Sequence, residues 1–325
     1  MQTAFFCNNP DTIRRVYGDK PIEGMYPTVI GESNIEEHLP QIKGMEAAFS
    51  TWGFPQLTDA QLDALPNWKI LFYGAGTVKA FAQPLLERGI RVVSAAHANG
   101  VFVAEYTLAQ ILLAQKGYFR TVRVADGMEK RRINAQIPPF GNYDSRIGLI
   151  GAGHIGRMVI DLLSRHRAKI MVYDPYLTED GAQALGVQKA TLEEIFASCE
   201  IVSNHAPNIP ETVGMLTYDL FSRMQKGATF INTGRGATVN EPDMIRFLSE
   251  RGDVCALLDV TWPEPPVAGS PLYTLPNVFL TPHIAGSIGR EVMLMGELCL
   301  DEFARYKRGE PLLYEVTLEQ LARLA

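Results

Sequence analysis

The chain has 325 residues, 46% of them apolar, which suffices for about two domains that each bury an ordinary core. Its 30 basic residues against 36 acidic ones leave a formal charge of −6. That balance offers no basic surplus for gripping a phosphate backbone, so no nucleic-acid partner is expected. Residues 1–7 lack the charged start and long apolar stretch of a signal peptide. No uninterrupted apolar run approaches the roughly 18 residues that span a bilayer; residues 101–114 are broken by Glu105 and Gln110. No membrane association is expected. Cys7, Cys199, Cys255 and Cys299 lie far apart and form no CxxC pair. Scattered thiols fit a reducing, cytoplasmic setting and argue against disulfides or a zinc site, so no metal is expected.

The first hundred residues read as short apolar strands separated by helices and turns. One strand covers 69–73 and ends at Gly74-Ala75-Gly76; another covers 90–94. A helix from 102 to about 120 has no internal glycine before Gly117. It is too apolar for a solvated surface and should pack between domains or subunits. Residues 121–145 read as irregular, with Pro138-Pro139 and Gly141-Asn142 marking a loop. Beyond them the pattern is regular. Strands are expected at 146–150, 170–173, 201–204, 229–232, 255–260 and 278–280, and helices at 155–165, 191–197, 217–224 and 241–251. Alternating strands and helices imply a parallel, doubly wound sheet. A last helix over 290–307 and a short tail should return to complete the first domain.

Gly151-Ala152-Gly153-His154-Ile155-Gly156 is a GxGxxG between a strand and a helix. Gly151 permits the tight turn, Gly153 lets the backbone approach a pyrophosphate, and Gly156 lets the helix pack close to the strand. The helix N-terminus, starting at His154 and Ile155, then offers free N–H groups to phosphates. The next strand ends in Asp174, 18 residues after Gly156, close to the ~20 expected for a ribose-binding carboxylate. No arginine follows in Asp174-Pro175-Tyr176-Leu177, so NAD is favoured over NADP. His154 is placed either at the pyrophosphate or facing solvent.

Reduction of a 2-keto acid needs a hydride donor at the carbonyl carbon, a proton at the oxygen, and a hold on the carboxylate. Imidazole suits the proton transfer because its reference pKa of about 6.5 lets it gain and lose a proton near neutrality. Guanidinium suits the carboxylate, whose geometry its planar fork matches. Three successive strand ends supply these groups: Asn232-Thr233-Gly234-Arg235-Gly236, then Asp259-Val260-Thr261-Trp262-Pro263-Glu264-Pro265, then Thr281-Pro282-His283-Ile284-Ala285-Gly286. Ligands bind at such ends of open parallel sheets.

With these motifs the sequence resembles the D-isomer-specific 2-hydroxyacid dehydrogenase family, closely over about 104–290 and weakly over the first hundred residues. The resemblance implies that Arg235 binds the substrate carboxylate and keto oxygen. His283 would donate the proton in reduction and accept it in oxidation, and Glu264 would pair with His283 and favour its protonated form. Asp259 would face the nicotinamide. Ala206, Pro207 and Thr212, with Thr233, Gly234 and Ala285, would line the cofactor. Ala75 and Gly76 resemble the loop whose amides hold the substrate carboxylate, and Val103-Ala104-Glu105 the start of the interdomain helix. His205 is read as structural. Val78 stands where the family usually has Asp, and His154 replaces a frequent arginine. Ser50-Thr51-Trp52-Gly53 offers no basic residue for a phosphorylated substrate; Trp52 suggests an apolar wall, and phosphoglycerate is not favoured, although Lys79 could bring charge from elsewhere. Residues 128–143 match the family poorly.

The architecture these readings imply is α/β, with two doubly wound parallel-sheet domains flanking a cleft. A Rossmann-type NAD-binding domain would span 104–290, and a flavodoxin-like substrate domain 1–103 and 291–325. A homodimer is expected through the long helix. Two rival readings are an NAD(H)-sensing protein of the corepressor type and a formate-type dehydrogenase, whose histidine lacks a carboxylate partner. The residues around Trp52, Tyr73, Ala98, Asn99 and Met295 are expected to set the substrate side chain.

Overall fold

A computed structural model of the chain describes residues 1–321. The described residues divide into two compact units, one built from Met1–Asn99 with residues 287–321, the other from Gly100–Gly286. The divisions fall a few residues before 103 and 290.

In the first unit β1 (Gln2–Phe6), β2 (Met45–Ser50), β3 (Ile70–Tyr73) and β4 (Arg91–Ser94) run parallel in that spatial order. Single bridges Thr3–Met25 and Phe6–Ile30 lay residues 25–30 along the far side of β1. The resulting order is that of a flavodoxin-like sheet. The strands are nearly continuous apolar runs because both faces are covered. One face buries Phe6, Ile30, Trp68 and Leu71, the other Phe49, Phe72, Met295 and Phe303. The C-terminal segment does return: Glu315–Val316 pairs with β4. That pairing is antiparallel, so the sheet is not purely parallel. Buried Glu302 holds the returning segment by accepting the N–H of Leu313 at 2.8 Å and of Tyr314 at 3.2 Å.

The second unit carries seven parallel strands: β5 (Tyr143–Ile150), β6 (Arg167–Tyr173), β7 (Gln188–Lys189), β8 (Ile201–Asn204), β9 (Thr229–Asn232), β10 (Cys255–Leu258) and β11 (Val278–Leu280). Their order is β11-β10-β9-β8-β5-β6-β7. The chain winds outward from β5 in one direction and then, from β8, in the other. This is the doubly wound Rossmann order with one extra edge strand, and its switch point lies between β5 and β8, where such sheets bind ligands.

Three local expectations change. The long helix spans Ala96–Gln115, and Gly117, at φ +70°, breaks it from the short turn Tyr118–Thr121. Residues 121–145 are not all loop: Gly127–Gln136 is a helix whose first turn is capped by Asp126, which accepts Met128 N at 2.7 Å. That helix buries none of its residues; it therefore left no apolar periodicity in the sequence. Finally, Glu179–Leu185 and β7 were not anticipated, being short elements closed by Gly186 at φ +67°. All four cysteines are buried and unbridged. No helix among the described residues is long and apolar enough to cross a membrane.

Candidate active site

The glycine turn follows β5 directly. Gly151 has φ +100°, and a Cβ there would lie 3.0 Å from the His205 backbone. A Cβ on Gly156 would lie 2.1 Å from the Gly151 carbonyl oxygen, so the first turn of the helix His154–Leu163 rests directly on the glycine turn. Gly153 differs: a Cβ there would meet nothing within 4 Å. The helix has no side-chain cap, which leaves its first N–H groups and their positive end available to an anion. His154 is exposed, and its ring and Ile155 both approach the backbone of Gly100, 3.2 Å and 3.4 Å from where a Cβ would sit. Asp174, at the end of β6, accepts Ala152 N at 2.7 Å and Tyr176 N at 2.8 Å. A carboxylate offers about four acceptor sites, so Asp174 ties down the turn and still has capacity for a ligand.

Across the switch point, the ends of β8 and β9 interlock. A Cβ on Gly234 would lie 2.9 Å from Asn204 O and 3.3 Å from His205 Cα. Ala206 is buried, Pro207 and Thr212 partly so. The Thr212 hydroxyl closes its own turn, 2.5 Å from Pro207 O, and accepts Ile209 N at 3.1 Å. The Thr233 hydroxyl meets that of Thr107 at 3.0 Å in the interior. His205 Nε2 lies 2.9 Å from Ser203 Oγ, while its Nδ1 is enclosed without a partner. Burial pushes its pKa down to about 4, which keeps the imidazole neutral.

Beyond β9, β10 and β11 the three expected groups come together. His283 Nδ1 and Glu264 Oε1 are 2.6 Å apart, both side chains roughly half exposed. Arg235 is largely enclosed and donates to Gly234 O at 2.8 Å. Burial lowers its pKa, and the nearby Glu264 charge opposes that shift. Gly236 explains the proximity. A Cβ there would lie 2.0 Å from the Thr261 carbonyl, so the loops bearing Arg235 and Glu264 touch backbone to backbone. Glu264 itself sits between two cis peptide bonds, Trp262–Pro263 and Glu264–Pro265.

His283 adopts φ +54°, a left-handed conformation uncommon for any residue but glycine. Its N–H is held by Asp259 O at 3.1 Å and Thr281 O at 3.0 Å. The Asp259 carboxylate is 2% exposed. It accepts the Thr281 hydroxyl at 2.6 Å and the N–H groups of Ile284 and Ala285 at 2.8 Å each. About one acceptor site remains to it for a ligand.

Sequence reasoning missed the buried amides behind this edge. Asn204 Nδ2 donates to Asn232 Oδ1 at 3.0 Å and to Thr238 Oγ1 at 2.8 Å, and Thr238 Oγ1 donates to Arg235 O at 2.8 Å. The available signal was an asparagine closing each of two short, fully buried strands, at 204 and 232.

In the first unit, the carbonyls of the Gly74–Gly76 loop are drawn inward. Thr51 Oγ1 donates to Gly74 O at 2.8 Å, and Ser94 Oγ lies 2.5 Å from Gly76 O and 3.4 Å from Ala75 O. Trp52 is 39% exposed. Met295, expected near the substrate, is instead fully buried in that unit's core and has no free face.

The glycine turn and the strand order define a dinucleotide-binding unit, and the loops bearing Arg235, Glu264 and His283 meet at its strand ends. Residues 112–285 match the family model described as D-isomer specific 2-hydroxyacid dehydrogenase, NAD binding domain. The chain belongs to the D-isomer specific 2-hydroxyacid dehydrogenase family. It is 29% identical over 299 residues to a Bacillus subtilis protein carrying the name 2-hydroxyacid dehydrogenase YoaD, covering 87% of this chain and 86% of that one. It is 28% identical over 262 residues to the D-3-phosphoglycerate dehydrogenase of Archaeoglobus fulgidus, covering 80% of this chain and 49% of the relative. The chain thus spans about half the length of several curated relatives it matches. Its fold is similar to the NAD-complexed D-isomer specific 2-hydroxyacid dehydrogenase of Lactobacillus delbrueckii ssp. bulgaricus, with a TM-score of 0.79, 19% identity, and coverage of 98% and 100% of the two chains.

Proposed function

We propose that the protein is an NAD-dependent oxidoreductase interconverting a small 2-keto acid and the D-2-hydroxy acid. The observation that carries this is the His283–Glu264 pair at 2.6 Å beside the enclosed Arg235, at the sheet edge that also ends in the glycine turn. The residues present fit the cofactor: the face over Gly153 is open, the helix N-terminus is uncapped, and Asp174 has spare acceptor capacity. Gly151, Gly153 and the N–H groups of His154, Ile155 and Gly156 would hold the pyrophosphate, Asp174 the ribose. When bound, NAD(H) supplies or accepts the hydride.

The remaining chemistry belongs to the chain. With Nδ1 committed to Glu264, Nε2 of His283 is the atom that gives a proton to the keto oxygen in reduction and takes it back in oxidation. Glu264 fixes that orientation and offsets the imidazolium charge. Arg235 pairs through its fork with the substrate carboxylate. The paired histidine disfavours the formate-type reading. A phosphorylated substrate is not favoured, because the hydroxyls of Ser50 and Thr51 are spent on Phe6 O and Gly74 O. The four buried free thiols accord with a cytoplasmic setting. Leu113, Tyr118 and Val122, each at least 40% exposed, offer an apolar surface for a homodimer.

The test is a steady-state screen of glyoxylate, pyruvate, hydroxypyruvate, phosphohydroxypyruvate and bulkier keto acids with NADH and NADPH. Turnover with NADH is expected. Tight NADH binding without oxidation on the whole panel would leave the sensor reading in its place.

A further inference from the structure

Behind His283 lies a hydrogen-bonded chain that the assigned roles do not use. Tyr106, on the helix Ala96–Gln115, places its hydroxyl 3.2 Å from Thr281 Oγ1. Thr281 Oγ1 lies 2.6 Å from Asp259 Oδ1. The proton directions follow from valence. A carboxylate oxygen only accepts, so Thr281 spends its one hydroxyl proton on Asp259, and the Tyr106 hydroxyl must donate to Thr281. The other Asp259 bonds go to the N–H groups of Ile284 and Ala285, the residues immediately after the left-handed His283.

We propose that Tyr106, acting through Thr281 and Asp259, is a positioning residue for His283: it completes the chain of donors that locks the 281–285 turn and so aims the imidazole. The inference rests on the reading of His283 as proton donor and names a determinant of its orientation. Three features support it. A non-glycine residue at positive φ persists only where its surroundings over-determine it, and here the turn is bound at residues 281, 283, 284 and 285 to Asp259. Asp259 is buried, so the three bonds its carboxylate accepts from the protein form with no competition from bulk water. Burial and the Asp259 charge raise the Tyr106 pKa, so its hydroxyl keeps its proton throughout the neutral range.

Tyr106→Phe removes the donor and keeps the ring. Loss of one neutral hydrogen bond should slow turnover about fivefold, with the KM for NADH unchanged and the melting temperature lowered by no more than about 2–4 °C. Thr281→Val should slow it further, and Thr281→Ser should restore most of the loss, because serine supplies the same donor and acceptor. In parallel, hydrogen–deuterium exchange of the peptide covering 281–286 in the NADH-free protein should accelerate severalfold in Tyr106→Phe, with exchange elsewhere unchanged. The exchange readout needs no turnover, so it stands even if no keto acid is reduced and the functional reading fails. Unchanged exchange at 281–286 in Tyr106→Phe overturns the proposal. So does a kcat within error of the parent in an active enzyme, or a Thr281→Ser variant no better than Thr281→Val.

Discussion

Two glycines of the same turn should respond in opposite ways to one added methyl group. At Gly156 a Cβ would lie 2.1 Å from the Gly151 carbonyl oxygen. Ordinary contact begins at about 3.4 Å, so the helix His154–Leu163 would have to retreat by more than about 1 Å. Glycine to alanine inside a helix normally stabilises by about 1 kcal/mol. Overpacking of this kind costs about 1–3 kcal/mol, and with backbone as the obstacle the upper part of that range applies. The net is a loss of about 1–2 kcal/mol, or a melting temperature lower by about 2–8 °C for a unit of this size. A helix N-terminus displaced by about 1 Å also misdirects its N–H groups, and NADH affinity should fall tenfold or more.

Gly153 has φ −71° and open space where its Cβ would stand. Alanine adopts that backbone without strain and restricts the unfolded chain, so Gly153→Ala should leave the melting temperature equal or slightly higher, by up to about 1 kcal/mol. The added methyl group would nevertheless occupy the surface that the pyrophosphate must approach, and NADH affinity should fall at least about tenfold. Thermal melts without cofactor and fluorescence titration with NADH separate the two cases. If Gly153→Ala binds NADH like the parent, the phosphate cradle is wrongly located. If Gly156→Ala melts higher than the parent, the close-packing argument is wrong.

Three further outcomes are expected. His283→Ala should lower turnover by about 10²–10⁴-fold while leaving NADH affinity nearly intact; near-normal turnover would remove the proton-donor role. Asp174→Ala should weaken NADH binding and narrow its advantage over NADPH in paired titrations, since the carboxylate both repels a 2′-phosphate and ties Ala152 N; an unchanged ratio would count against the ribose assignment. His205 makes stability depend on pH. Its folded pKa is about 4 against 6.5, so between those values the unfolded chain takes up a proton that the folded chain refuses. Stability is therefore lost as pH falls through this window. Urea midpoints at pH 7 and 4.5 should show the parent losing about 2 kcal/mol more than His205→Gln; parallel losses would refute the assigned depression.

What was legible in the sequence was legible for physical reasons. β8, β9 and β11 were bounded correctly from their residues because each is a short apolar run covered on both faces and closed by a polar or proline residue. The helix Gly127–Gln136 left no such trace, since it buries nothing. The helix Ala96–Gln115 begins earlier than its apolar run because Gly100 falls in its first turns. That glycine reads as a breaker, yet its missing side chain is what lets His154 and Ile155 approach. Arg235, Glu264 and His283 could be proposed because each lies at the end of a successive strand in a motif that resembles those of the family. The scaffolding behind them could not. Tyr106 and Thr281 are 175 residues apart in sequence, and nothing local marks two hydroxyls that meet only once the sheet is formed.

The backbone of His283 tests how catalytic geometry is weighed against stability. The proposed proton transfer requires an imidazole at this position, so the turn cannot use the glycine that φ +54° would favour. A side chain in the left-handed region costs about 1–2 kcal/mol, which the bonds from Asp259 and Thr281 to the turn offset. Two variants of His283 isolate that cost, because both lack the exposed pair with Glu264. At most positions glycine is less stable than alanine by about 0.5–1 kcal/mol through its entropy in the unfolded chain. Here alanine keeps the strain and glycine relieves it, so the order should invert, with His283→Gly more stable than His283→Ala by about 0.5–1 kcal/mol in urea unfolding. An alanine variant as stable as the glycine variant, or more so, would mean that the turn carries no strain and that the buried Asp259 carboxylate is not needed to hold it.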